Sequence, residues 1–270
     1  MDFYRKAGGI GRLEVLASGD SPVHRLHPGA KIVTTLVYIG AVVSFPARDL
    51  SGLGIFILYP AVLMSLSGTP WKALLARLLV SLPFALTGAI GNLVMLREPV
   101  FSIGAFTVTA GMLSFFSILY RTFLAVLAAL ILVATTPFPD FIRQLGRMGM
   151  PRIFCLQTTM TWRYLSVLLS EAGTMYTAYL LRSEGRKGIG MKNMGSFLGL
   201  LLVRSFDRAG RVYQAMKNRG FDGARHTGAV RPLRLSDGLF AGGICSAAVF
   251  FRLFNAGDFL GGILAGFGGG

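Results

Sequence analysis

Two arginines in similar surroundings are the residues most suited to specific chemistry. Arg182 lies in the frame AYLLRSEG and Arg219 in the frame AMKNRGFDG, each four residues after an alanine and directly before a small residue. A guanidinium at a helix C-terminus can stabilise the helix dipole by about 0.3–1 kcal/mol. Its rigid fork of donors also makes arginine a frequent anchor in the pockets of partner proteins. The residues alone leave both interpretations open.

The sequence lacks the patterns of a metal site and of a nucleotide site. His24 and His27 lie close together and near Asp20, but a metal site needs three or four ligands, and the third histidine, His226, is distant in sequence. We therefore expect solvent or interface histidines and no metal. The stretch GRKGIGMKNMG lacks the order GxxxxGK[ST] that cradles phosphate, so it predicts a turn between helices. No cofactor is expected.

The composition predicts an all-α membrane protein. Hydrophobic residues make up 53% of the 270 residues, charged residues only 14%, and the mean hydropathy is +0.60. Ordinary soluble domains have about a quarter of their residues charged. The net charge of +15 does not indicate a nucleic-acid partner, because the basic stretches alternate with long apolar ones.

Five apolar segments approach the roughly 20 residues that a bilayer crossing requires. They are predicted at about 32–45, 50–66, 73–95, 118–134 and 239–254. With the N-terminus inside and five crossings, 23 of the 27 Lys and Arg residues fall on the cytoplasmic side. This predicts residues 1–135 as the N-terminal segment with helices 1–4, and residues 237–270 as the last helix and tail.

Residues 136–236 between them are predicted to form a cytoplasmic helical domain. They hold 16 basic and 5 acidic residues, which gives +11 of the total charge. Without an intervening proline, residues 152–182 can form one helix, and a second is expected from about Met194 to Arg219 with Gly220 at its end.

The sequence carries no signature of its own catalysis or ion coupling. It has no HExxH or GxSxG motif and no pair of carboxylates inside a predicted span. These absences argue against a self-sufficient transporter, ion channel or pump. An intramembrane enzyme or a membrane scaffold is one class of function that stays open.

The ordered series of motifs resembles the transmembrane T component of energy-coupling-factor (ECF) ABC importers, most closely its CbiQ-like cobalt/nickel branch. SPVHRLHPGAK is similar to the family's opening before the first span, TPFPDFIRQLGRMGMPRIF to the segment entering its coupling domain, and TTMTWRYLSVLLSEA to the long helix that follows. AYLLRSEG and AMKNRGFDG resemble the family's two Ala-Arg-Gly motifs. The likeness runs from about residue 21 to residue 223.

The resemblance implies a subunit that binds neither substrate nor nucleotide. It would join two ABC-type ATPase subunits to a substrate-capturing, CbiM-like membrane protein in the cell's inner (cytoplasmic) membrane, with cobalt or nickel as cargo. Biotin or another vitamin is the alternative cargo. The motif residues would dock into the ATPases, and the first motif departs from Ala-Arg-Gly on both sides of its arginine. These docking residues are Leu181, Arg182, Ser183, Asn218, Arg219 and Gly220.

Overall fold

A computed structural model describes residues 17, 19–46, 52–95, 99–103, 106–183, 188–221 and 232–253. It confirms the all-α membrane fold, to which it adds one short β-hairpin. The described residues group into two units. The membrane unit holds those within 17–137 and 232–253, and the helical unit holds those within 138–221.

The membrane unit begins with short helices. Helix α1 spans Pro28–Val43, with Pro28 in the first turn where its missing N–H costs nothing. A 3₁₀ helix, Gly52–Ile57, leads directly into α2, Leu58–Ser67, which ends at Gly68 with φ of 62°. Glycine suits that left-handed position because it has no Cβ to clash.

The remaining elements of the membrane unit are longer. Helix α3, Trp71–Met95, continues through Pro83. Strands β1, Pro99–Ile103, and β2, Phe106–Thr109, pair antiparallel and lead into α4, Ala110–Thr135. Helix α8, Leu235–Leu253, also belongs to this unit.

Helical segments occupy all five positions predicted for spans. Three are long and apolar enough to cross a membrane, within residues 74–93, 110–135 and 235–253. The helix Pro28–Val43 and the segment Gly52–Ser67 are apolar but shorter. Large apolar side chains such as Val80 and Phe84 of α3 are strongly exposed, as expected for helices whose surroundings are lipid rather than water.

The apolar interior of the membrane unit consists of two clusters. Tyr38 and Val42 of α1 pack with Phe56, Leu124 and Ala248 in one cluster. A second cluster joins α2, α3 and α4 through Leu63, Leu74, Leu78, Leu127 and Ile131. Threonines in the helices donate to carbonyls one turn earlier, as Thr34 does to Ala30 and Thr122 to Ile118, both at 2.8 Å. Their hydroxyls are thereby satisfied without water.

The helical unit contains three helices. They are α5, Phe138–Arg147, α6, Arg152–Arg182, and α7, Met191–Asn218. Phe138 of α5 stacks on Trp162 of α6 with ring centroids 4.3 Å apart, and Ile142 is buried. The prediction of one helix over 152–182 is confirmed, and α7 begins three residues before its predicted start.

Candidate functional site

The C-terminal end of α6 presents Arg182 to the surroundings. Arg182 is the last residue of the helix and is exposed, and Leu181 before it is 82% exposed. Ser183 caps the end, since its N–H and its Oγ both donate to the carbonyl of Leu180 at 3.2 and 3.1 Å. The guanidinium of Arg182 has no hydrogen-bond or ion-pair partner in the described part of the chain.

The C-terminal end of α7 presents Arg219 in a different geometry. The N–H of Phe221 donates to the carbonyl of Met216 at 3.1 Å, and the N–H of Gly220 donates to the carbonyl of Lys217 at 3.0 Å. These two bonds define a Schellman motif, with Arg219 as the C-cap and Gly220 at φ of 74°. Arg219 is exposed, and no partner for its side chain lies among the described residues.

The two ends therefore differ in their need for glycine. Gly220 occupies the left-handed region, where a side chain costs about 1 kcal/mol or more. Ser183 has φ of −98° and ψ of 19°, which a residue with a side chain adopts without strain. Ser183 thus fits the local backbone, although a serine at this position departs from the glycine of the Ala-Arg-Gly motif.

An ion-pair cluster joins α6 to α7 between the two arginine ends. Glu171 of α6 pairs with Arg204 of α7 and lies 3.8 Å from Arg208, one turn further along α7. Near the C-terminal end of α6, the hydroxyl of Tyr179 accepts from Asn193 Nδ2 of α7 at 2.9 Å. Glu171 was not among the residues predicted from the sequence, because its pairing depends on which faces of α6 and α7 meet.

A cleft lies between the two helices beside this cluster. Its lining includes Tyr179 and Arg182 of α6 and Asn193, Phe197 and Arg204 of α7, and it encloses about 1530 Å³ of space that is partly open. Both polar and apolar groups line it. Arg182 therefore lies at the edge of a concave surface that a protein segment could enter.

A second polar cluster lies in the membrane unit, in the stretch SPVHRLHPGAK. His27 is only 2% exposed, so the expectation that it would lie at solvent or an interface is wrong. Its Nδ1 accepts from the N–H of Gly29 at 3.1 Å, which caps α1. His24 is half-buried, with Nδ1 2.7 Å from Ser21 Oγ.

Lys31 and Asp237 extend this cluster to the ends of two other helices. Each is 5% exposed. Lys31 Nζ donates to the carbonyl of Thr135 at 2.8 Å, at the negative end of α4. Asp237 accepts from the N–H of His27 at 3.0 Å and from that of Arg234 at 2.9 Å. The cluster thus holds together the start of α1, the end of α4 and the start of α8.

Asp20 and Arg25 form an ion pair at the start of this stretch. Asp20 accepts from Arg25 Nε and Nη2 at 2.9 and 3.0 Å, and this pairing raises the pKa of Arg25. Over the described residues, no group of three or more His, Cys, Asp or Glu side chains is placed to hold a metal ion. His226 lies outside the described residues.

A family model described as CbiQ, cobalt transport protein, matches residues 19–229. The chain belongs to this family. The match includes His24, His27 and Lys31, the whole of α6 and α7, and both arginine ends, and it ends before Asp237.

Individual relatives agree with the family. The chain is 26% identical to a putative fused cobalt transport protein CbiMQ of Methanocorpusculum labreanum, over 79% of this chain and 38% of that protein. It is 31% identical to the cobalt transport protein CbiQ of Salmonella typhimurium, over 43% of this chain and 52% of that protein. The chain thus spans at most about half the length of these two relatives.

A further relative is covered more fully. The energy-coupling factor transporter transmembrane protein EcfT of Bacillus subtilis is 26% identical over 76% of this chain and 82% of that protein. The family and these relatives identify the chain as a membrane-embedded T component of the CbiQ-like branch of ECF transporters.

Proposed function

We propose that this chain is the coupling subunit of an ATP-driven importer and that Arg182 and Arg219 are the points where two ABC-type ATPase subunits dock. The observation that carries the proposal is the pair of exposed arginines, each at the C-terminal end of a long helix in one unit of a T component. Exposed guanidiniums without a partner on the described chain are available to carboxylates and carbonyls of another protein.

The charge distribution supports a cytoplasmic location for the helical unit. Residues 136–236 carry a charge of +11, and basic segments are retained on the cytoplasmic side of membranes. ABC-type ATPases consume cytoplasmic ATP, so the docking ends must lie on that side. We infer five crossings in the inner membrane, with the N-terminus and the helical unit in the cytoplasm.

The chain would itself perform no catalysis. Its sequence lacks a phosphate-binding loop, and ATP hydrolysis would take place on the docked subunits. Movement of those subunits would be transmitted through α6 and α7 to a substrate-capturing membrane protein.

The cargo is proposed to be Co²⁺ or Ni²⁺, because the family and two of the relatives carry the name cobalt transport protein. A vitamin is the second candidate, since relatives covered over most of their length carry the general name EcfT, which states no cargo. Uptake of labelled Co²⁺, Ni²⁺ and biotin by cells expressing the complete transporter discriminates between these cargoes.

The docking role is tested by reversing both charges. We expect Arg182→Glu with Arg219→Glu to release co-expressed ATPase subunits during purification, or to retain them without coupling, and in either case to abolish uptake. The matched control is Arg163→Glu with Arg211→Glu, which makes the same charge change at exposed positions within α6 and α7.

The control variant should keep both ATPase association and transport. Normal association and uptake in the Arg182/Arg219 variant would contradict the docking role. Equal losses in both double variants would show that the net charge of the unit matters rather than these two positions.

A further inference from the structure

An apolar groove lies on the membrane unit between α8 and the segment formed by the 3₁₀ helix and α2. It encloses about 680 Å³ of partly open space. Leu58 and Val62 on one wall are exposed. Other lining residues are Phe56, Phe240, Ile244 and Phe251.

The groove offers apolar surface and almost no polar groups. Two tyrosines line it, but the hydroxyl of Tyr38 donates to the carbonyl of Phe56 at 2.7 Å, and that of Tyr59 lies 3.2 Å from Thr35 Oγ1. The tyrosines therefore contribute their rings to the lining, while their hydroxyls are engaged elsewhere. An occupant must be apolar along this length, because polar atoms would lose their hydrogen bonds there.

The length of the groove fits a single acyl chain. Phe240 and Phe251 of its lining are 11 residues apart on α8, or about 16 Å along the helix axis. An acyl chain has no polar atoms along this length, so it matches the apolar lining.

A cationic group lies beside one end of the groove. The guanidinium of Arg252 is 4.9 Å from the centroid of the Phe45 ring, and that ring packs on the lining residue Phe56 with centroids 5.2 Å apart. Arg252 also directly follows Phe251. It donates to the oxygens of Ser44 at 3.2 Å through Nε and 2.9 Å through Nη2, and the ion pairs of the described residues do not include it.

The depth of Arg252 suits a phospholipid headgroup. It is 17 residues from the start of α8, or about 26 Å along the axis, close to the roughly 30 Å thickness of the hydrocarbon core. Positive charge and an apolar channel thus adjoin at the level where lipid phosphates lie.

We propose that this groove binds one anionic phospholipid, with an acyl chain between α2 and α8 and the phosphate beside Arg252. The lipid would fill a gap in the membrane unit that the protein's own side chains leave open. This site is independent of the docking role of Arg182 and Arg219, and it requires only that the membrane unit lies in a bilayer.

Native mass spectrometry of the full chain tests the proposal. The chain is released from vesicles of equal parts phosphatidylglycerol and phosphatidylcholine with matched acyl chains. We expect one retained lipid and a preference for phosphatidylglycerol of about fivefold, as a single arginine near a membrane surface provides. Arg252→Gln should abolish the preference and Arg252→Lys should keep it.

Filling the groove tests the acyl-chain part separately. Ala247 lines the groove and is exposed, so Ala247→Phe should reduce retention of both lipids. Val249→Phe, at an exposed position of α8 outside the lining, is the matched control and should bind as the wild type does. Equal retention of the two lipids by the wild type, or undiminished retention by Ala247→Phe, would overturn the proposal.

A photoreactive phosphatidylglycerol with a diazirine in its acyl chain gives a readout that needs no variant. We expect crosslinks on the peptides that contain Phe240, Ile244 and Phe251. Crosslinks spread evenly over the exposed faces of α3 and α4 would indicate ordinary bulk lipid and contradict a site. If a co-purifying protein occupied the groove and prevented the lipid probe from crosslinking there, that result would also contradict the proposal.

Discussion

The two units of the molecule hold their helices together in different ways. In the membrane unit, two apolar clusters and buried polar bonds join the helices, and Lys31 and Asp237 are almost completely enclosed. In the helical unit, α7 has no buried residue among those described, and its contacts with α6 include the ion pairs of Glu171.

The contacts within the membrane unit therefore cost more free energy to break than the contacts between α6 and α7. Buried polar groups are costly to disconnect, because they have no water to replace a lost partner. Ion pairs at an accessible surface contribute little and weaken further with salt. The proposed coupling role would use both properties, since the membrane helices would keep their arrangement while α6 and α7 transmit movement.

The largest expected effect comes from removing Asp237. Asp237→Ala leaves the buried N–H of His27 and the partly buried N–H of Arg234 without their acceptor, and we expect a loss of about 2–4 kcal/mol in the free energy of unfolding. Thermal unfolding of the detergent-purified chain measures this loss. Asp237→Asn retains one carbonyl acceptor and should lie between the alanine variant and the wild type. Wild-type stability of Asp237→Ala would show that these bonds are not what joins α1 to α8.

A smaller effect is expected where α6 meets α7. Glu171→Gln removes two ion pairs, each with a contribution of up to about 1 kcal/mol. Hydrogen exchange of the α7 amides should become faster, while exchange in α1 and α4 stays unchanged. The wild type in 1 M salt should approach the variant, because screening acts over about 3 Å at that ionic strength.

A charge exchange provides the control for this prediction. Glu171→Arg with Arg204→Glu restores an opposite pair between the helices and places the new glutamate one turn from Arg208. Its exchange rates should return toward those of the wild type. Unchanged exchange in Glu171→Gln would mean that other contacts hold α7 against α6.

The sequence was sufficient to predict the elements that depend on local patterns. Long apolar segments and an uninterrupted run from Arg152 to Arg182 are read directly from residue types, and both are present in the structure. The sequence around Arg219 also predicted where α7 ends, because a glycine after a helix indicates the left-handed conformation found at Gly220.

The parts that were not predicted depend on contacts between distant positions. The bond between His27 and Asp237 joins residues 210 positions apart, and nothing in the local sequence around His27 indicates that the ring is buried. The pairing of Glu171 with Arg204 likewise requires knowing which faces of α6 and α7 meet. The docking role of the arginine ends stays a prediction, because it concerns other polypeptides.

The smallest expected effect concerns the two arginine ends themselves. Gly220→Ala introduces a side chain at φ of 74°, and since no atom lies within 4 Å of the added Cβ, the cost of about 1 kcal/mol is purely conformational. Ser183→Gly changes a position that needs no left-handed conformation and keeps the N–H bond to the Leu180 carbonyl, so its cost, from chain entropy and the lost Oγ bond, should be about 0.5 kcal/mol.

Hydrogen exchange at the last turn of each helix, with the affinity for ATPase subunits as a second readout, measures this difference. Gly220→Ala should fray the end of α7 and weaken docking, since Arg219 is the residue directly before the glycine. Ser183→Gly should leave the end of α6 and its docking almost unchanged. Equal losses at both ends would mean that the small residue contacts the partner directly, because the backbone geometry requires a glycine only at position 220.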